Sequence, residues 1–336
     1  MQTVYLQVDG EKPDPEIIEV AAFLIRSGEV VAFPTETVYG LGANALDEEA
    51  VQKIFTAKGR RMDNPLIAHV CSWDQAAQLV CDIPDEVYRL IERFWPGPLT
   101  IVAHSRDNVP EAVRAGQPTA AVRMPDHPVA LELIRRAGMP IAAPSANISG
   151  RPSPTKAEHV KHDLNGKIAA ILDGGITGFG IESTIIDVTQ RPFRIIRPGA
   201  ISIEQLAEVI PIELIYAHTA SDIQGRSAVP HYQTDVKVKA IPYGSSMQAE
   251  LTADEWRGLK LGAVVVSKQE ITARPAILVA INEGPHEYGR RLYEIFRLAE
   301  EKKLDVLIME KPPEEGLGRA VADRIVQASQ GKGDRP

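Results

Sequence analysis

Hydrophobic positions near the start of the chain predict a helix followed by a buried strand. Asp14 can cap the helix, Pro15 suits its first position, and apolar residues recur every three to four positions as far as Gly28. Residues 30–33 are all apolar, which is typical of a short strand that is buried on both faces. The chain therefore opens with a helix and a strand that share one core.

Short apolar runs and helical periodicity alternate in this way as far as about residue 205. The runs that predict strands are 66–70, 99–103, 120–124, 141–143, 169–172, 185–188 and 194–196. Helices are predicted at 47–58, 72–81, 84–95, 128–137 and 155–164. This alternation indicates an α/β domain with a large mixed sheet, whose strand order does not follow from one sequence.

The regular pattern stops after about residue 210 and resumes near residue 240. Residues 211–240 are rich in polar and turn-forming residues and have little apolar periodicity, which is typical of a linker. Beyond them, strands are predicted at 261–267, 276–281 and 305–309, and helices near 286–302 and 318–329. We therefore predict a large α/β domain at 1–210, a linker at 211–240 and a smaller α/β domain at 241–336.

Composition and charge indicate a globular protein without a general affinity for nucleic acid. Hydrophobic residues make up 44% and charged residues 24% of the 336 residues. The formal net charge is −8, so an anionic ligand would have to be held by a local group of cations. The sequence has neither a run of about 20 apolar residues for a membrane span nor the pattern of a signal peptide. We therefore expect a cytoplasmic protein without a membrane partner.

Three polar segments at the ends of predicted elements are candidates for ligand binding. Residues 34–42, PTETVYGLG, follow the first buried strand, and residues 140–153, PIAAPSANISGRPS, place small donors and acceptors in a loop held by prolines. Residues 58–61, KGRR, follow a predicted helix. These cations either clamp a phosphate group or simply cap the negative end of the helix. The segments suit a polar, anionic ligand.

Two arginines at strand ends strengthen this interpretation. Arg123 and Arg197 each end a predicted strand, and Ser183 precedes another. Arginine binds carboxylate and phosphate groups in a bidentate manner. The sequence contains no P-loop, kinase signature or HExxH motif, and the GxGxxA pattern at 40–45 lacks the acidic residue of a dinucleotide-binding unit. The arginines therefore predict a shared anion site that is built without these motifs.

Seven motifs in order resemble the YrdC-like family over about residues 13–205. They are PTETVYGLG, AKGRRMDNPLIAHV, WPGPLTIV, TAAVRMPDHP, PIAAPSANISG, ESTIIDV and IIRPGAI. The later segment EGLGRAVADRIVQAS resembles the second domain of the two-domain threonylcarbamoyl-AMP synthases in this family. The resemblance implies an open, twisted sheet around a large cavity lined by positive charge, and a smaller Rossmann-like second domain.

The resemblance also implies an activity in tRNA processing. A nucleotidyltransferase of this kind converts L-threonine, bicarbonate and ATP into threonylcarbamoyl-AMP, diphosphate and water. The product supplies the N6-threonylcarbamoyladenosine modification of tRNAs that read ANN codons. Mg²⁺ is expected to arrive with ATP and to be held by phosphate and water, without metal-ligating side chains. We expect a transient hand-over to a tRNA threonylcarbamoyl-transfer complex, without stable binding of nucleic acid.

Matching the motifs residue by residue implies the following roles. Catalysis is assigned to Lys58 and Arg60. ATP binding is assigned to Arg60, Asn64, Thr119, Ser145, Asn147, Ser153, Arg197 and Tyr232. Threonine binding is assigned to Thr37, His69, Arg123, Ala143 and Ser183. The chain departs from the family at Arg61, where proline is frequent, and at residues 226–230, so the match is looser before Tyr232.

Two other functions are compatible with a YrdC-like domain. The first is an RNA-binding module without catalysis, which the net charge of −8 and the aromatic content of 5% do not favour. The second is a carbamoyltransferase of the hydrogenase-maturation type, which carries cysteine-rich zinc modules. The two cysteines, Cys71 and Cys81, cannot build such modules.

Overall fold

The computed structural model describes residues 2–210, 215–216 and 232–330, with the backbone alone described at 215–216. The described residues form two compact units. The first unit comprises the described residues within Met1–Ser149 and Ser153–Ala228. The second comprises those within Gly150–Pro152 and Val229–Pro336. A tripeptide from the middle of the chain is thus part of the second unit. Most of the predicted linker lies outside the described residues.

The first unit alternates strands and helices, as the sequence predicts. Its strands are β1 Val4–Gln7, β2 Val31–Phe33, β3 Gly40–Asn44, β4 Ile67–His69, β5 Val80–Cys81, β6 Leu99–Ser105, β7 Thr119–Arg123, β8 Ile141–Ala142, β9 Ala170–Asp173, β10 Thr184–Asp187, β11 Arg194–Arg197 and β12 Ile215–Tyr216. Its helices are α1 Pro15–Arg26, α2 Glu48–Lys58, α3 Trp73–Ala77, α4 Asp85–Phe94, α5 Glu111–Arg114, α6 Pro128–Ala137, α7 Ala157–Leu164 and α8 Ile203–Val209.

Strand β2 is buried on both faces, as its apolar run predicts. Val31 and Phe33 belong to one apolar cluster with residues of α1 and α6. Ala32 lies between them and belongs to the other large cluster of this unit. Alternate side chains of a strand point to opposite faces, so the sheet separates two layers of the core. The capping of α1 is also confirmed, because Asp14 accepts a hydrogen bond of 2.8 Å from the main-chain nitrogen of Glu16.

The predicted large mixed sheet is confirmed. Its order is β1-β9-β2-β3-β8-β4-β7-β6-β10-β11-β12, and β5 pairs with β6. Strands β4 and β7 are parallel, β6 is antiparallel to β7 and parallel to β10, and β11 is antiparallel to β10. The ends of β4, β7 and β11 therefore lie at the same edge as the starts of β6 and β10. This edge carries four of the positions selected from the sequence, namely His69, Ser183, Arg123 and Arg197.

Two predicted boundaries in the first unit are wrong. The helix predicted at 72–81 ends at Ala77, and its last residues form strand β5. The glycine-rich stretch after Tyr39 is strand β3. Side-chain atoms of Phe33 and Ile141 lie 2.6 Å from the position that a Cβ atom of Gly42 would occupy. Glycine is therefore required for β3 to fit between its neighbouring strands.

The second unit is a small α/β domain, in agreement with the prediction, and the structure shows that its sheet is parallel. Its strands are β13 Lys237–Ile241, β14 Leu261–Val265, β15 Ile277–Ala280 and β16 Val306–Glu310, in the order β13-β16-β14-β15. Its helices are α9 Met247–Leu251, α10 Pro285–Glu301 and α11 Leu317–Ser329. Residues 237–240, assigned from the sequence to the linker, are the first four of β13.

Glu310 ends the central strand β16, and its side chain is fully buried. Its carboxylate accepts hydrogen bonds of 2.7, 2.8 and 3.0 Å from the main-chain nitrogens of Gly244, Val266 and Ser267. One carboxylate thus holds the loops that follow β13 and β14. Among the helices of the described residues, none is long and apolar enough to cross a membrane.

Candidate active site

Arg123 lies at the centre of the residues assigned to threonine. It ends β7 beside His69, which ends the parallel strand β4. Its Nη1 atom donates a hydrogen bond of 3.0 Å to Oγ1 of Thr37, and its Nε atom donates one of 3.3 Å to the carbonyl of Gly97. Thr37 is held in turn by Thr35, whose Oγ1 lies 2.8 Å from that of Thr37. The structure therefore brings Thr37, His69 and Arg123 together.

Glu36 also reaches this cluster, although the sequence did not select it. Its Oε2 atom lies 2.6 Å from Nη2 of Arg123, and both side chains are more than nine-tenths buried, with 9% and 4% of their surface exposed. The contact is ionic without the direction of a hydrogen bond, and no donor among the described residues bonds either carboxylate oxygen. The signal in the sequence was its position: Glu36 is the only acidic residue of the PTETVYGLG segment.

His69 is neutral at physiological pH. Burial, and to a smaller extent the nearby charge of Arg123, lower the pKa of its imidazole to about 3, against an opposing effect of main-chain hydrogen bonds. Its Nδ1 atom lies 3.2 Å from the carbonyl oxygen of Ile67, and the Phe33 ring packs edge-on against it. The histidine can therefore offer a hydrogen bond in this site without adding charge.

Ser183 connects the residues assigned to threonine with those assigned to ATP. Its hydroxyl lies 2.8 Å from Oγ1 of Thr100 and accepts a hydrogen bond of 3.0 Å from Nη2 of Arg197. Nε of Arg197 donates a further bond of 3.0 Å to the carbonyl of Ser183. Arg197, which is assigned to ATP, is thus hydrogen-bonded to the residue before β10, at the same sheet edge as Arg123. Thr100 is a second contributor that the sequence did not reveal.

Lys58 is buried beneath the loop that follows β8. Its ammonium group donates hydrogen bonds to the carbonyl oxygens of Ser145 and Asn147, and its own carbonyl accepts one of 2.9 Å from the nitrogen of Ser149. Burial lowers the pKa of Lys58 well below its usual range, and the positive charge of Arg60 lowers it further. The side chain therefore holds the serine–asparagine loop in place.

Arg60 follows Lys58 after a sharp change of direction. Gly59 ends α2 in the left-handed region, with φ of 60°, which any residue with a Cβ atom adopts only with strain. The Arg60 guanidinium donates to the carbonyl oxygens of Asn64 and Pro65, at 3.3 and 3.0 Å from Nη2. Burial and the charge of Arg197 lower its pKa to about 10, so it remains charged at neutral pH. Arg60 and Arg197 therefore concentrate positive charge in an acidic protein.

The remaining assigned residues lie around this cluster in different ways. Ser153 donates a hydrogen bond of 2.7 Å to Oε1 of Glu182, another acidic residue that the sequence did not select. The main-chain nitrogen of Ala143 bonds the carbonyl of Ile67 at 2.9 Å, within the sheet. Thr119 begins β7 and so lies on the order of 13 Å along the strand from Arg123. A ligand that contacts both ends of β7 must be elongated.

Tyr232 belongs to the second unit. Its ring stacks on Tyr293 of α10, with centroids 5.2 Å apart and planes inclined by 25°, and the guanidinium of Arg324 lies 5.7 Å from its centroid. The side chain is buried there, and its backbone has φ of 60°. His231, which precedes it, lies outside the described residues. The assignment of Tyr232 to ATP remains a prediction.

No group of three histidine, cysteine, aspartate or glutamate side chains in the described part of the chain could hold a metal ion. The polar side chains that meet at the sheet edge are instead mainly cationic or hydroxyl-bearing. Such a set suits carboxylate and phosphate groups. The geometry thus favours an anionic ligand with two parts, one near Arg123 and one near Arg60 and Arg197.

Comparisons with known proteins agree with both domains. The family model described as "Telomere recombination", Sua5_yciO_yrdC, matches residues 23–199. The model described as "Threonylcarbamoyl-AMP synthase, C-terminal domain" matches residues 201–330. Together the two models cover most of the chain.

Full-length relatives and a solved structure extend this similarity. The threonylcarbamoyl-AMP synthase of Bacillus subtilis is 42% identical over 335 residues, which are 95% of this chain and 94% of that protein. That of Pyrococcus abyssi is 41% identical over 322 residues, with coverage of 93% and 94%. The crystal structure of P. abyssi Sua5 complexed with L-threonine is similar with a TM-score of 0.91 and 41% identity, covering 98% of each chain.

Proposed function

The chain belongs to the Sua5/YrdC family in its two-domain form, and from this membership we propose that it is a threonylcarbamoyl-AMP synthase. It would convert L-threonine, bicarbonate and ATP into threonylcarbamoyl-AMP, diphosphate and water. Relatives that carry this name match nearly the whole chain, and the similar structure of P. abyssi Sua5 is a complex with L-threonine. Both observations support the proposal.

The single structural observation behind this proposal is the link made by Ser183. Ser183 is assigned to threonine, and its hydroxyl accepts a hydrogen bond from Arg197, which is assigned to ATP. A reaction that joins an amino acid to a nucleotide needs the two substrates side by side. One serine between the two sets meets this requirement.

The proposed chemistry suits the charges of the site. The amine of threonine and bicarbonate give a carbamate, whose oxygen attacks the α-phosphorus of ATP and expels diphosphate. Adenylyl transfer depends on in-line placement and on neutralisation of the phosphate charge, and it requires no covalent nucleophile. Arg60 and Arg197 would neutralise this charge, while Mg²⁺ would enter with ATP on phosphate and water ligands.

Lys58 receives an indirect role in this mechanism. Its bonds to the carbonyls of Ser145 and Asn147 place those two residues for the nucleotide. We propose the other ATP contacts, at Asn64, Thr119, Ser153 and Tyr232, from the resemblance alone. The nucleotidyltransferase class, bicarbonate as the carbon source, the cytoplasmic location and the hand-over to a tRNA-modifying complex belong to the same proposal.

Mass spectrometry of the product tests the proposed function. The purified protein should form threonylcarbamoyl-AMP only when threonine, bicarbonate and ATP are all present, without added RNA. Replacement of bicarbonate-containing buffer by a degassed one is the matched control. Absence of product with all three substrates, together with salt-dependent retention of RNA, would instead favour the RNA-binding alternative.

A further inference from the structure

Glu36 and Arg123 form an ion pair that is incompletely bonded. Oε2 of Glu36 and Nη2 of Arg123 are 2.6 Å apart, yet the contact lacks hydrogen-bond direction. No donor among the described residues bonds either carboxylate oxygen of Glu36. Buried carboxylates are normally hydrogen-bonded, because an unsatisfied charge in the interior is costly. A ligand that donates hydrogen bonds could satisfy the carboxylate of Glu36.

The residues assigned to threonine leave one of its charges unmatched. Threonine at neutral pH is a zwitterion with one carboxylate and one ammonium group. Arg123 supplies the cation for the carboxylate, but none of the other assigned residues has an anionic side chain; these are Thr37, His69, Ala143 and Ser183. A buried ammonium group needs an anion or several acceptors. Glu36 is the anion closest to Arg123 in the described residues.

On the basis of the proposed function, we propose that Glu36 is a positioning residue that binds the α-ammonium group of threonine. The Glu36–Arg123 pair opens when threonine enters: Arg123 turns its guanidinium to the substrate carboxylate, and Glu36 accepts hydrogen bonds from the ammonium group. Four alternating charges then replace two, so the site stays neutral throughout. The exchange also orients the amine, the atom that must become the carbamate nitrogen.

This role differs from a merely structural one in its ligand dependence. If Glu36 only neutralises Arg123, its loss affects every carboxylate ligand in the same direction. If it binds the ammonium group, its loss weakens the binding of only those ligands that carry this group. The analogue 3-hydroxybutanoate keeps the carboxylate, methyl and hydroxyl groups of threonine but lacks the amine, and it therefore distinguishes the two roles.

The experiment measures the dissociation constants of L-threonine and 3-hydroxybutanoate by calorimetry, for the full chain and for Glu36→Gln. We expect Glu36→Gln to raise the dissociation constant of threonine at least about tenfold. The analogue should bind as before or more tightly, because Arg123 is no longer paired with Glu36. The preference for threonine over the analogue should thus fall at least about tenfold. Glu36→Asp, which keeps the charge, should retain part of this preference.

Asp126→Asn is the matched control. Asp126 is an exposed carboxylate, and it lies close enough to Glu36 for that charge to raise its pKa, after the larger effect of burial. Asp126→Asn should leave both dissociation constants unchanged. Equal weakening of both ligands in Glu36→Gln, or an unchanged preference for threonine, would overturn the role of Glu36. If Glu36→Gln does not fold, the preference measured for Glu36→Asp decides. Failure of the unmodified protein to bind threonine at all would instead contradict the proposed function.

Discussion

The ammonium group of Lys58 donates a hydrogen bond to the main-chain carbonyl of Asn147, from the end of one helix to a loop on a distant part of the chain. A second bond goes to the carbonyl of Ser145. The cation is therefore occupied by the protein itself, although the sequence suggests a phosphate clamp. We therefore expect Lys58 to stabilise the loop and Arg60 to bind the phosphate groups of ATP.

Lys58→Met should destabilise the protein as well as lower its turnover. Two buried carbonyl groups lose their donor, which costs about 1–3 kcal/mol of unfolding free energy. Chemical denaturation checks this value. Lys53→Met on the same helix is the matched control, because Lys53 is exposed and paired with Glu29. Undiminished stability combined with lost activity would mean that the Lys58 amine acts on the substrate.

Arg60→Ala should weaken ATP binding. It also removes the donor to the part-buried carbonyls of Asn64 and Pro65, so the unfolding free energy is measured beside the kinetics. Loss of one charge-assisted contact to a phosphate group costs about 1.5–3 kcal/mol, so kcat/KM for ATP should fall at least about tenfold. Arg61→Ala is the control, because this side chain is 67% exposed and paired with Asp63. Steady-state kinetics at saturating threonine separate the two variants. Similar kinetics for both would exclude a specific role of Arg60.

His69 should make the protein less stable as the pH falls below about 6.5. Its pKa is about 3 in the folded state and 6.5 without burial, so between these values the unfolded chain binds a proton that the folded one does not. Unfolding free energy then decreases by about 1.4 kcal/mol per pH unit from this group. The comparison with His69→Gln, by urea denaturation at several pH values, isolates its share. Parallel pH profiles would contradict the buried neutral imidazole.

Glu300 should influence ATP binding through the tripeptide Gly150–Pro152. Within the second unit, Glu300 pairs with Arg151 at 2.6 Å, and Arg297 of the same helix donates to the carbonyl of Pro152 at 2.8 Å. This tripeptide directly precedes Ser153, a proposed ATP contact. Loss of the bond between Arg151 and Glu300 should therefore make the position of Ser153 less fixed. Glu300→Gln is therefore expected to raise the dissociation constant of ATP severalfold in calorimetry.

Glu301→Gln is the control for this effect, because Glu301 is 72% exposed and only distantly paired. Truncation after Ile210 should weaken ATP more strongly, since it removes Tyr232 and every partner of the tripeptide in the second unit. Unchanged ATP affinity in Glu300→Gln would mean that Ser153 is positioned without the tripeptide.

Much of the fold could be predicted because its strands are short, apolar and separated by capped helices. Strand β2 and helix α1 follow from the apolar run before Pro34 and from Asp14, since local sequence determines both. Strand β3 could not be predicted, because its glycines are required by the side chains of neighbouring strands. That information lies in Phe33 and Ile141 together, and no local pattern contains it.

The candidate site was predictable as a list of residues and unpredictable as a set of contacts. The motifs selected Arg123, Ser183 and Arg197, which the sheet edge does bring close to one another. Glu36 was not selected, because the motif match assigned no role to it and its contact with Arg123 is tertiary. Whether an assigned cation faces ligand or protein, as for Lys58, likewise depends on the tertiary structure.

The buried carboxylate of Glu310 has a consequence for the second domain. Parallel α/β sheets usually receive phosphate-bearing ligands just beyond the carboxyl ends of their strands, where free main-chain amides act as donors. Here the carboxylate of Glu310 already accepts hydrogen bonds from the amides of Gly244, Val266 and Ser267. A nucleotide could take that place only by evicting a side chain of the protein itself. At the carboxyl ends of β13 and β14, these three amides are therefore already used by the protein's own carboxylate.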